Sequence, residues 1–134
     1  MRIVCIKNTL AAIAESEVRE RLRRSIHMDG PITDLEIGRE YAVQAVEERD
    51  GGLWFYLHTV SVNDYPYPYP AEMFELRDNT VPAGWVVSME VQRGSVGLKR
   101  ITFPAWATDD VFYERLVDGD VETVSAYRRW MARE

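Results

Sequence analysis

The sequence is poor in the residues that most often carry chemistry: among its 134 residues it has one cysteine, Cys5, and two histidines, His27 and His58. A lone cysteine excludes an intramolecular disulfide and fits a reducing compartment. Neither histidine belongs to an H-x-x-x-H, H-E-x-x-H or C-x-x-C pattern, so neither a metal nor a cofactor is expected. Long apolar runs are missing as well. Leu10 to Ala14 falls far short of the roughly 20 residues that span a bilayer, and Met1-Arg2-Ile3-Val4 has no signal-peptide organisation. A cytoplasmic protein with no membrane partner is expected. Positive charge is also short, since 16 basic residues against 22 acidic ones leave −6, which argues against a general nucleic-acid binder. What is present is apolar: 46% hydrophobic residues exclude intrinsic disorder, and a chain of this length forms a core without a staple.

Met1 to Asn8 reads as an opening strand whose run Ile3-Val4-Cys5-Ile6 is too continuous for a half-exposed ribbon, so it belongs at the centre of a sheet. Thr9 to Met28 reads as a helix. Leu10, Ala14, Val18, Leu22 and Ile26 recur every four residues, Glu17–Arg21 and Glu20–Arg24 stand at i,i+4, and Asp29-Gly30-Pro31 supplies the stop. Arg39–Glu48 and Leu53–Val60 are strands joined at Arg49-Asp50-Gly51-Gly52, a tight-turn signature. Leu53, Phe55 and Leu57 fall on one face of the second strand and Trp54, Tyr56 and His58 on the other, which means burial on both sides or an exposed aromatic surface.

Tyr65-Pro66-Tyr67-Pro68-Tyr69-Pro70 has a definite geometric meaning. In an extended chain the three prolines remove N–H donors from one lateral edge, so the segment pairs on one side only and its tyrosines share a face. Ala71 to Leu76 is a turn into a further strand. Trp85 to Val91 and Leu98 to Phe103 form a second hairpin, with Gly94 and Gly97 bracketing its turn. Thr108 is expected to cap a helix through Val117 that Gly119 ends, and Asp120 a last helix with the stripe Val121, Val124, Tyr127 and Met131.

Residues with reactive potential have simpler explanations. Cys5 lies between Val4 and Ile6 with no activating cation, which describes an inert core thiol. Gly94-Ser95-Val96-Gly97 lacks G-K-[ST] and suits a hairpin turn, and Asp118-Gly119-Asp120 lacks the ligand ladder of a calcium loop. Arg19, Arg21, Arg23 and Arg24 interleave with Glu15, Glu17 and Glu20 as a solvated, self-paired helix face. Two groups remain as candidates for binding. Asp109, Asp110, Glu114, Asp118, Asp120 and Glu122, with Arg115 alone among them, form an acidic segment suited to a basic partner; helix starts also favour acids. Trp54, Tyr56, Tyr65, Tyr67, Tyr69 and Trp85 are numerous enough to line a groove for a proline-rich peptide or a small ligand, and they equally suit a second core beneath the C-terminal helices.

Three separated fragments carry a resemblance. Cys5-Ile6-Lys7-Asn8, then Leu35-Glu36-Ile37-Gly38-Arg39-Glu40-Tyr41-Ala42-Val43, then Tyr69-Pro70-Ala71 running into Phe74-Glu75-Leu76 resemble the C-I-[DK]-N, L-x-x-G-[KR]-x-Y-x-V and Y-P-x-x-x-F-E-[LV] framework of small bacterial and phage proteins with an SH3-like β-barrel. Phe112-Tyr113-Glu114-Arg115-Leu116 before Gly119-Asp120 resembles the C-terminal helices of bacterial immunity-type proteins, which neutralise a toxin by binding it. The resemblance says nothing of the Thr9–Met28 helix or the second hairpin. It implies one α+β domain over residues 1–134: a small antiparallel SH3-like barrel (1–78) with a helical insertion (9–28), an extra hairpin (79–104) and two C-terminal helices (105–134). The function expected is non-catalytic occlusion of a protein partner, with a basic toxin as the specific case. The alternatives are a small-ligand or nucleotide binder using the aromatics and, more remotely, an enzyme with a carboxylate general base.

Overall fold

In a computed structural model, which describes residues 1–26, 30–59 and 64–133, the chain is a mixed α+β protein with antiparallel strands and four α-helices. It divides into two compact units, Met1–Val81 and Pro82–Glu134.

In the first unit β1 (Arg2–Cys5) lies between β2 (Glu40–Ala42) and β6 (Phe74–Asp78), as its unbroken apolar run requires, and Ile3, Val4 and Cys5 are buried. Strands β3 (Ala45–Arg49), β4 (Gly52–Leu57) and β5 (Tyr67–Pro70) form an antiparallel ladder in the order β5-β4-β3. Arg49 pairs with Gly52 across a two-residue turn in which Asp50 and Gly51 have φ of 52° and 82°; both are positive, the signature of a type I′ turn. The long strand expected from Arg39 is interrupted at Val43 and Gln44, and Val60 lies outside the described residues. β5 pairs with β4 on one side, Tyr56 opposite Pro68 and Trp54 opposite Pro70, and ends its sheet as the alternating prolines demand. Among the described residues no strand pairing closes these ladders into a barrel.

The helix expected over Thr9–Met28 is shorter and broken. A 3₁₀ turn (Leu10–Ala12) precedes α1 (Ser16–Arg23), and the chain between them is extended at Ile13 and Glu15. Burial explains the break: Leu10, Ile13 and Leu22 enter the core, whereas Ala14, a member of the four-residue stripe, is exposed. The Arg19 guanidinium then takes the Ile13 and Ala14 carbonyls at 2.6 and 3.1 Å. His27, Met28 and Asp29 lie outside the described residues, so part of the expected stop does too.

In the second unit β7 (Val86–Gln92) and β8 (Ser95–Thr102) form a hairpin, followed by three helices where two were expected: α2 (Pro104–Ala107), α3 (Phe112–Val117) and α4 (Val121–Met131). Pro104 starts α2 at the position where a missing N–H costs nothing. Thr108 therefore ends a helix instead of starting one, its hydroxyl donating to the Pro104 carbonyl at 2.8 Å. Asp120 caps α4 as expected, accepting from the Thr123 N–H and hydroxyl at 3.1 and 2.7 Å. The expected stripe of α4 holds only in its middle: Tyr127 is buried and Val124 half-buried, but Val121 is 79% exposed, and Thr123, outside the stripe, is buried. Phe103, Trp106, Phe112, Leu116 and Tyr127 make this unit's core, with Trp106 stacked on Phe112 at 5.7 Å.

Candidate functional site: the open face of the second hairpin

The clearest surface feature is one side of the β7–β8 hairpin. Register places Val87 opposite Ile101, Met89 opposite Leu98 and Val91 opposite Val96. Directly opposed residues share a face, so these six aliphatic side chains form one patch. Alternation alone would put Ile101 on the other side from Val96 and Leu98. The register shifts between Ser88 and Met89, which leaves Lys99 as an extra residue on β8; this bulge restores Ile101 to the patch. Val87, Met89, Val91 and Val96 are 57%, 53%, 71% and 66% exposed, and Leu98 and Ile101 are half-buried. Scattered exposed aliphatics need no explanation, but a contiguous apolar sheet face does.

The opposite side is anchored. There Arg100 and Thr102 are buried, α2 packs against both strands, and Arg100 donates to the Ala107 carbonyl at 3.3 Å. Asp110 receives both residues of the bulge, Lys99 at 2.5 Å and Arg100 at 3.0 Å, and these two cations hold its carboxyl below the usual carboxylate range. The helices thus fix the hairpin from behind and leave its apolar side free.

Half of the acidic segment is engaged within its own unit. Asp109 pairs with Arg115 and accepts from the Val111 N–H at 3.1 Å, Asp110 holds the bulge, and Asp120 caps α4, where its bonds to Thr123 lower its pKa. Glu114, Asp118 and Glu122 are exposed. The aromatics do not form the surface expected of them. Trp54, Tyr56 and Tyr69 are buried at 3%, 2% and 6% exposure, because β4 carries apolar or aromatic side chains at four successive positions and all of Trp54–Leu57 are interior. Tyr69 donates to or accepts from Thr59 at 2.6 Å, and burial pushes its phenol up to about 12. Tyr65 and Tyr67 are half-exposed with rings 5.4 Å apart, and Trp85 is half-buried. His58 is half-buried and its pKa is lowered by desolvation, which the nearby Asp64 opposes. Cys5 is interior, donating to the Lys7 carbonyl at 3.3 Å, and burial raises its pKa.

Sequence reasoning missed a polar cluster on the β3–β4 ladder. The Arg49 guanidinium reaches Glu47 and the Tyr56 hydroxyl, both at 2.9 Å, and lies over the Trp54 ring at 5.2 Å. Arg21 pairs with Glu72 rather than with Glu17, and its guanidinium occupies the space that a side chain at Gly52 would need. The nearest sequence signal was Gly52 itself, a glycine at the start of a strand. Among the described residues no group of His, Cys, Asp and Glu is arranged to hold a metal, and no helix is long and apolar enough to cross a membrane. No protein-family model, no curated protein and no solved structure matches the chain.

Proposed function

We propose that the chain is a non-catalytic binding protein that docks a protein partner on the apolar face of the β7–β8 hairpin. The observation that carries this reading is the contiguous exposed set Val87, Met89, Val91 and Val96 on a hairpin tied down from its other side. Two strands make a face about 10 Å wide, and seven residues make it about 23 Å long. That is the footprint of one amphipathic helix of about 15 residues, so the partner is a protein presenting such a helix.

Immunity-type neutralisation of a basic toxin remains the specific form of the proposal. Its electrostatic part falls to Glu114, Asp118 and Glu122, since Asp109, Asp110 and Asp120 already meet cations or N–H groups inside the unit. The likeness to SH3-like barrels belongs to the same proposal. It is supported by β1, β2 and β6 pairing side by side, which brings Cys5 of the first resembling fragment opposite Phe74 of the third, and Tyr41 of the second onto the same strand opposite Ile3. The burial of Trp54, Tyr56 and Tyr69 takes support away from an aromatic ligand groove.

A photo-crosslinking residue placed at Val91, and separately at Ile37 as a comparably exposed control outside both the hairpin face and the acidic segment, tests the reading in native lysate. The Val91 probe should label one partner protein at an amphipathic helical segment, and Met89→Lys should abolish that labelling. Equal labelling from both positions, or none from Val91, would overturn it.

A further inference from the structure

We propose that the second unit holds a binding site for a small phosphomonoester, built on the C-terminal end of α4. A concavity of about 480 Å³ is lined by Ala105, Ala126, Arg129, Trp130 and Arg133. Its size lies within the about 300–1,000 Å³ of ordinary small-molecule sites, several times what a bare oxyanion fills.

The walls are preorganised. Trp130 stacks on Phe103 at 5.1 Å with the rings 19° apart, and a methyl at Gly84 would come within 2.9 Å of the indole, so the ring is wedged in place. The Arg133 guanidinium lies over that indole, 4.6 Å from the ring centroid. Arg133 lies just past the C-cap Ala132, its backbone N–H donating to the Trp130 carbonyl at 3.1 Å, so a closing turn and the indole face together set its position. Arg129 stands one turn earlier beside it. Both arginines are exposed, and among the described residues neither has an acidic partner, although the chain as a whole carries −6. No lining residue is acidic. A helix C-terminus favours cations, which accounts for Arg129 in the last turn, and it opposes an anion, so a phosphate ester is held here only by the two guanidinium charges outweighing that partial charge. The seating of Arg133 on the indole at the rim of the cavity is the part the dipole does not account for.

The chemistry of the lining selects the ligand. Two planar guanidinium forks offer paired N–H donors and two positive charges, which match a phosphate monoester of charge about −1.5 to −2 better than a single carboxylate. The Ala105 and Ala126 methyls make an apolar floor that receives the organic part of the ester. The site is separate from the hairpin face and does not depend on a protein partner.

Phenyl phosphate, inorganic phosphate and benzyl alcohol, titrated into the full chain by calorimetry at low salt, test the proposal. Phenyl phosphate should bind saturably and more tightly than inorganic phosphate, with benzyl alcohol silent. The exposed double variant Arg129→Gln/Arg133→Gln should weaken binding at least tenfold, Ala126→Leu should do the same by filling the floor, and Met89→Lys should leave it unchanged. Saturable binding that survives both pocket variants, or no saturable binding of phenyl phosphate to the parent chain, would overturn the assignment.

Discussion

The two hairpins of this protein use the same turn and meet opposite fates. Asp50-Gly51 and Arg93-Gly94 both close two-residue loops with positive φ at each position. The first hairpin feeds a strand in which Trp54, Phe55, Tyr56 and Leu57 are all interior, whereas the second leaves Val87, Met89, Val91 and Val96 more than half exposed. The difference lies in what the sequence puts between the large residues. Four successive apolar positions on β4 demand cover on both faces. On β7, Ser88 and Glu90 alternate with the aliphatics, so one face meets the helices through polar groups and the other is apolar without cover. A buried apolar strand stabilises the fold; an apolar face left in water lowers stability and solubility, and its persistence on a rigid hairpin is what suggests a partner.

The largest test of this contrast compares two apolar residues of similar size. Leu57→Ala should cost about 2–5 kcal/mol in urea unfolding, the range for truncating a fully buried aliphatic. Met89→Ala should stay within about 0.5 kcal/mol, as expected of an exposed site. A large loss at Met89 would mean that the hairpin face is part of a core, and the docking proposal would fail with it.

Glycines give a second, smaller comparison. At Gly52 a methyl would collide with the Arg21 guanidinium and force it from Glu72, so Gly52→Ala should cost about 1.5–3 kcal/mol, the scale of one charge-assisted hydrogen bond. At Gly97 a methyl meets open space on an exposed strand, so Gly97→Ala should be neutral or stabilise by up to about 1 kcal/mol. Adding Glu72→Gln to Gly52→Ala should then cost little more, because the pair is already broken; full additivity would contradict the mechanism.

Titration distinguishes one residue of each unit, Tyr69 and Asp110, by the side of the pH scale on which its contribution is lost. Tyr69 ionises near 10 in the unfolded chain and at about 12 in the folded one, so its contribution is complete below pH 10 and is lost as pH rises through 12. Asp110 behaves in the opposite sense. Its folded pKa is depressed by Lys99 and Arg100, so its contribution is present above about pH 4 and is lost as pH falls through the lower folded value. Tyr69→Phe should flatten the alkaline limb of the stability profile and leave the acid limb intact, and Asp110→Asn should do the reverse.

What the sequence disclosed follows the reach of each physical cause. Local causes were legible: the tight turn at Asp50-Gly51, the one-sided pairing of the proline-alternating segment, the central place of Ile3-Val4-Cys5 and the Asp120 cap each depend on residues a few positions apart. Long-range causes were not. The helix expected over Thr9–Met28 breaks because Ile13 enters the core, and Arg21 forgoes Glu17 for Glu72, 51 residues away. The docking face itself was half legible. The alternation of Val87, Met89 and Val91 was plain, yet its union with Val96, Leu98 and Ile101 depends on a bulge at Lys99 that Asp110 stabilises from another element. The acidic segment misled for a related reason: half of its carboxylates serve cations and N–H groups that only the fold brings near.

The smallest expected effect returns to the turns, where the hairpins differ by one residue type. Asp-Gly suits a type I′ turn because Asp tolerates the left-handed region, but Arg93 adopts φ of 51° with no such aptitude. Arg93→Asn should therefore stabilise the chain by about 0.5 kcal/mol, while Asp50→Asn should change it by no more than a few tenths, both read from the urea midpoint at constant m-value. The pair also bears on function. If the second hairpin must be rigid for its apolar face to receive a helix, Arg93→Asn should tighten the crosslink from Val91; weaker labelling by a more stable hairpin would show that docking requires the turn to open.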